Sequence, residues 1–144
     1  MNIQIITTPF HLNICGFTGT AVNKDYTGTA FRLSGRMWET LKTNGIKNKG
    51  KNIWVYEPGD IVFAGVELDE ALPAGVTLEE KNITLTKYAY YKHIGPYNLL
   101  KQVGTNMQTE LKSQGFQTKL PYMEIYSHWT GDEATAETEL LMSL

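Results

Sequence analysis

Two short runs set the pattern of the chain: NIWVY, from Asn52 to Tyr56, and YMEIY, from Tyr122 to Tyr126. Both read as strands, whose side chains alternate between two faces. In the second run Tyr122, Glu124 and Tyr126 share one face, and Met123 and Ile125 share the other. Four more runs carry a strand signal: FHLNICGF from Phe10, IVFAGVEL from Ile61, KYAYYKHI from Lys87 and ETELLMSL from Glu137. Two stretches have helical spacing instead. Phe31, Ser34, Met37, Trp38 and Leu41 approximate one stripe, and Leu100, Val103, Met107 and Leu111 another. Each helix meets a glycine, Gly45 or Gly115, where a left-handed cap is wanted.

The order strand, helix, strand, strand therefore occurs twice, and residue identities echo it. An offset of 70 aligns Leu41 with Leu111, Lys42 with Lys112, Gly45 with Gly115, Lys49 with Lys119 and Tyr56 with Tyr126. EALPAG, from Glu70 to Gly75, reads as the connector. The pattern predicts one α+β domain over residues 1–144, with pseudo-repeats at about 1–70 and 75–144. Its duplicated βαββ units would form one curved antiparallel sheet with two helices on one face. A ligand groove is expected between the halves. With the helices over the Met123/Ile125 side, the Tyr/Glu/Trp sides would line that groove.

Charge and composition narrow the function. The formal charge is −2, so no basic surface advertises nucleic acid or an anionic membrane. No apolar run approaches the ~20 residues of a membrane span, and MNIQIITTPF lacks the features of a signal peptide. One cysteine, Cys15, cannot form an internal disulfide, so a cytoplasmic setting is expected. His11, His93 and His128 show no metal-ligand spacing. No GxGxxG, GxxxxGK[ST] or GxSxG occurs. No metal or other cofactor is therefore expected.

Glu124 is the residue that asks for an explanation. An ionised carboxylate costs several kcal/mol to bury unpaired. The offset matches it with Trp54, so the two halves differ here by a Trp exchanged for a carboxylate. Aromatic residues make up 11% of the chain, and many fall in the flanking segments. Rings around one carboxylate suit a lipophilic cation, through cation–π attraction of roughly 0.5–2 kcal/mol per ring and a charge partner in a dry setting. The same Glu in an apolar cage would have a raised pKa and could serve as general acid or base. A solvent-facing Glu paired with Lys87 or Lys92 is the plain alternative.

LTKYAYYKHIGPYNLL, a helix ending in ELKSQGF, then LPYMEIY and AETELLMSL resemble the GyrI-like small-molecule-binding domain, which is also the effector-binding domain of AraC-type and MerR-type transcription regulators. AFRLSGRMWETLKTNGI, NIWVYEPG and DIVFAGVEL extend the resemblance over the first half. It implies a duplicated βαββ fold and a groove whose acidic residue, in a P-x-x-E-x-Y strand, meets lipophilic cations among rings. That residue is Glu124, after Pro121 and before Tyr126. The resemblance adds Tyr88, Tyr90 and Trp38 to a candidate ligand set of Glu124, Trp54, Tyr56, Tyr122 and Tyr126. Since the two repeats take up residues 1–144, a stand-alone domain without a helix-turn-helix is expected. The expected partner is a small molecule, amphipathic or cationic, with a protein partner or homodimer open; direct DNA or membrane binding is not expected. A non-catalytic role leads. The alternatives are a hydrolase of small electrophilic compounds using Glu124, and a gyrase-modulating or toxin-resistance protein.

Overall fold

The computed structural model describes residues 1–144. Its strands are β1 (Gln4–Ile6), β2 (Phe10–Thr20), β3 (Asn52–Glu57), β4 (Ile61–Val66), β5 (Glu79–Leu85), β6 (Tyr88–Ile94), β7 (Lys119–Tyr126) and β8 (Glu137–Ser143). Two helices, α1 (Tyr26–Thr43) and α2 (Leu100–Ser113), each stand between the first and second strands of a βαββ unit, β2-α1-β3-β4 and β6-α2-β7-β8. All strands join one antiparallel sheet in the order β1-β6-β8-β7-β3-β4-β2-β5.

Connection length forces this sheet to curl. β5 and β6 lie six strands apart in the order, roughly 29 Å if the sheet were flat. Only Thr86 and Lys87 link them, and three Cα steps span at most about 11 Å. The ends must therefore bend toward one another without pairing. Phe10 and Tyr88 meet edge to face across the bend, with centroids 6.0 Å apart. The concave face closes on a core of its own: Ile14, Ile53, Val55, Phe63, Leu85, Met123 and Leu141, with no helical residue among them.

The helices lie on the convex face. α1 sets Leu33, Met37 and Leu41 against Phe17, Val62 and Ala64, over β2 and β4. α2 sets Leu100, Met107 and Leu111 against Ala89, Leu140 and Met142, over β6 and β8. This corrects the expected facing. The helices cover the Glu124 side of the sheet, and the Met123/Ile125 side is buried by the curl. Phe31 also departs from the expected core stripe, being 65% exposed, and the stripe turns on Ala30 and Leu33 instead.

The helix ends follow the sequence. Gly45 and Gly115 have φ of +60° and +85°. Ile46 N–H donates to Leu41 O, and Phe116 N–H to Leu111 O, both at 2.9 Å. This is a Schellman closure, which satisfies carbonyls the helix leaves open. Asp25 caps the start of α1 by accepting from Gly28 N at 3.0 Å.

Candidate functional site

The helices sit over the outer strand pairs and leave β7 and β3 bare between them. Four strand spacings separate the two helix rows, about 19 Å, whereas helices in contact lie 8–10 Å apart. The difference is a groove floored by β7 and β3. Its floor carries Tyr122, Glu124 and Tyr126 from β7, and Trp54 and Tyr56 from β3, which pair as Trp54↔Glu124 and Tyr56↔Tyr122.

Glu124 is 8% exposed and accepts three hydrogen bonds. Tyr56 and Tyr126 hydroxyls donate to Oε1 at 3.1 and 3.0 Å, and Tyr122 donates to Oε2 at 2.9 Å. No salt bridge reaches the carboxylate. Lys92 pairs with Glu137 at 3.3 Å, and the Lys87 amine lies over the Phe116 ring. The plain alternative of a solvent-facing, lysine-paired Glu is thus not what the structure holds. Burial pushes the Glu124 carboxyl above its ordinary value, and the three tyrosine bonds pull the other way without reversing it. Burial, then the charge of Glu124, raises Tyr56, Tyr122 and Tyr126, so all three keep their protons and remain donors. The ionised carboxylate is left with neutral donors and no positive charge, a costly state for a buried group.

Beside the carboxylate opens a cleft of about 610 Å³, within the usual range for small-molecule pockets. Tyr56, Tyr122, Glu124 and Met142 floor it, while Leu100 and Gly104 of α2 and Asp60 of the β3–β4 turn wall it. Tyr26 completes that wall by donating to Asp60. The Tyr56 and Tyr122 rings stack, with centroids 5.7 Å apart at 20°. On the other flank a ladder of rings runs from α1 to the β7–β8 loop. Phe31 meets Trp54 at 5.0 Å, Trp54 meets Tyr126 at 4.8 Å, Tyr126 meets Tyr97 at 5.7 Å and Tyr97 meets Trp129 at 6.1 Å. Phe31 and Trp129, the ends of the ladder, are 65% and 58% exposed.

Of the expected residues, Glu124, Trp54, Tyr56, Tyr122 and Tyr126 come together. Trp38 is half-buried against the α1 core and is not part of the cleft wall. Tyr88 and Tyr90 lie on the concave face, away from Glu124: Tyr88 is buried there, and Tyr90 donates to Glu139 Oε1 at 2.8 Å. Strand parity is the reason. β6 turns Ala89 and Tyr91 toward the helices, and register places Tyr91 in one row with Leu140, Glu124 and Trp54. Tyr26, Phe31, Tyr97 and Trp129 had no place in the expected site. One signal could have found the tyrosines: Tyr26 precedes Tyr56, and Tyr97 precedes Tyr126, by nearly the same spacing. No group of three or more metal-ligating side chains converges, and no helix is long and apolar enough to cross a membrane.

No protein-family model matches the chain, and no curated protein matches it. Solved structures do resemble it. The EcmrR C-terminal domain aligns with a TM-score of 0.70 at 14% identity, over 99% of this chain and 98% of that one. EcmrR in complex with DNA aligns over 97% of this chain but 55% of its own, with a TM-score of 0.62 at 15% identity. SAV2435 bound to tetraphenylphosphonium aligns at 0.64 and 16% identity, over 99% and 93%. A hydrolase from Listeria innocua aligns at 0.56 and 10% identity, over 97% and 90%. At these identities the likeness is one of fold, and the shared architecture is consistent with the GyrI-like fold that the sequence resembles.

Proposed function

We propose that this chain is an effector-binding domain of the GyrI-like kind that takes up amphipathic cations in the groove between α1 and α2, without turning them over. One observation carries the reading. Glu124 is buried, bonded to three tyrosine hydroxyls, and has no positive partner of its own. A cation entering beside it supplies the missing charge, and the surrounding rings cover its apolar body. The open cleft of about 610 Å³ offers room for such a molecule. SAV2435, of similar fold, is known bound to tetraphenylphosphonium, a cation of this class. The likeness to EcmrR supports a link to transcription regulation, in which this domain senses the compound and other protein segments act on DNA.

The test is calorimetric titration of tetraphenylphosphonium into wild type and Glu124→Gln. The substitution keeps the shape and removes the charge, so affinity should fall at least about tenfold, equivalent to about 1.4 kcal/mol. Equal affinity in the two proteins would remove the electrostatic basis of the reading. The raised protonation of Glu124 favours a second reading, a hydrolase with Glu124 as general acid. Product formation from an electrophilic substrate, lost in Glu124→Gln, is its signature.

A further inference from the structure

We propose that the α1 side of the groove is a second subsite, in which the indole N–H of Trp54 donates to no protein acceptor because it is kept for a hydrogen-bond acceptor on the ligand. This rests on reading the groove as a cation site and adds a polar requirement to it. The preferred ligand class is then an amphipathic cation with a carbonyl or ether oxygen a few bonds from its charged centre.

Two buried polar atoms in the fold's convex face have no partner, Trp54 Nε1 and Thr138 Oγ1. They are neighbours of one ring. Thr138 stands opposite Tyr126 across β7 and β8, and the Trp54 ring packs against Tyr126 at 4.8 Å. Tyr126 in turn bonds Glu124. Buried donors without acceptors are rare in folded proteins, and each calls for a reason. A phenylalanine in place of Trp54 would keep the apolar contacts with Phe31 and Tyr126 without leaving a buried donor open. Trp54 is also directly opposite Glu124, so the Cβ atoms of charge and donor are about 5 Å apart. One ligand can reach both.

Access runs past Phe31. Its ring lies edge-on to Trp54 at 5.0 Å, yet the residue is 65% exposed. Exposed side chains change rotamer in picoseconds to nanoseconds. The position four residues on, its neighbour on the helix surface, is Gly35, where even a Cβ would meet nothing within 4 Å. Phe31 therefore has free space beside it into which it can swing, uncovering the indole.

The test uses a matched pair of probes, benzyldimethylphenacylammonium and benzyldimethyl(2-phenylethyl)ammonium, which differ by one carbonyl in place of a methylene. A carbonyl weakens transfer into an apolar groove unless it finds a donor, so the sign of the preference is informative. Wild type should bind the ketone at least fivefold tighter. Trp54→Phe should weaken the ketone alone and abolish the preference, whereas Glu124→Gln should weaken both probes alike. No preference in wild type, or equal weakening of both probes by Trp54→Phe, would overturn the subsite while leaving the cation reading standing. Failure of wild type to bind either probe would sink both. If Trp54→Phe does not fold, proton–nitrogen correlation spectra of wild type decide. One of the three indole N–H signals should move with the ketone and hold still with its partner. Equal movement with both, or none with the ketone, would contradict the proposal.

Discussion

Trp54 and Glu124 face each other across the central strand pair, at positions the 70-residue offset also makes equivalent. Along the β3–β7 ladder this is the one pair in which residues matched by the offset face each other, and they differ there. Two glutamates at that point would set like charges directly opposite, which is destabilising. Two tryptophans would offer rings and no charge. One of each gives a single negative charge with a ring at its side, the arrangement on which the proposed cation site rests.

The pH dependence of binding follows from the position of Glu124. A cation favours the ionised carboxylate, and burial raises its pKa in the free protein. Affinity for tetraphenylphosphonium should therefore rise with pH through that raised value, by at most tenfold per pH unit for one proton, and level off above it. Titrations across acid to neutral pH check this, and Glu124→Gln should show no such rise.

Stability should move in the opposite sense. The folded pKa of Glu124 lies above its unfolded value, so its contribution is fully present below about pH 4.3 and is lost as pH rises through the folded value. Thermal melts should show wild type losing ground to Glu124→Gln over that window. A wild type that gains on the variant as pH rises would mean that the three tyrosine bonds outweigh burial.

Two tyrosine substitutions separate the faces of the sheet. Tyr122→Phe removes the donor to Oε2 of Glu124, leaving a buried acceptor open at a cost of about 1–3 kcal/mol. It should also move the pH midpoint of cation binding upward. Tyr90→Phe removes a bond to Glu139 on the concave face. It should cost about 1 kcal/mol of stability and leave cation affinity unchanged within about twofold, since the ring never reaches the groove.

Gly104 offers a steric test independent of charge. It lines the cleft from α2, and a Cβ added there meets nothing within 4 Å. Gly104→Leu should stabilise the helix by up to about 1 kcal/mol while its side chain fills part of the cleft. A higher melting temperature with weaker ligand binding is the expected outcome. Unchanged affinity would place the ligand away from the α2 wall.

Local pattern made much of this arrangement readable. Alternation in YMEIY put Tyr122, Glu124 and Tyr126 on one face, and glycine at 45 and 115 marked both helix ends. The outer strands were harder. β1 is three residues long, and β5, EEKNITL, buries only Ile83 and Leu85. Such polar edge strands lack a strong alternating signal. The facing of the sheet was not readable, because β3 is apolar on both sides, with Ile53 and Val55 on one and Trp54 and Tyr56 on the other. The short β5–β6 link shows only that the sheet must curl, and only once strand order is known. YAYY in β6 places rings on both faces; the resemblance pointed to Tyr88 and Tyr90, and strand parity turns Tyr91, not these two, toward the helices.

Charge rather than shape should select the ligand, and a charge-reversed pair of equal shape isolates that effect. Wild type should be titrated at neutral pH with tetraphenylphosphonium and with tetraphenylborate. The ring-lined groove holds one unpaired carboxylate, so the cation should bind and the anion should bind at least tenfold more weakly. Equal affinity for the two would show that the rings alone attract ligands and that Glu124 plays no part.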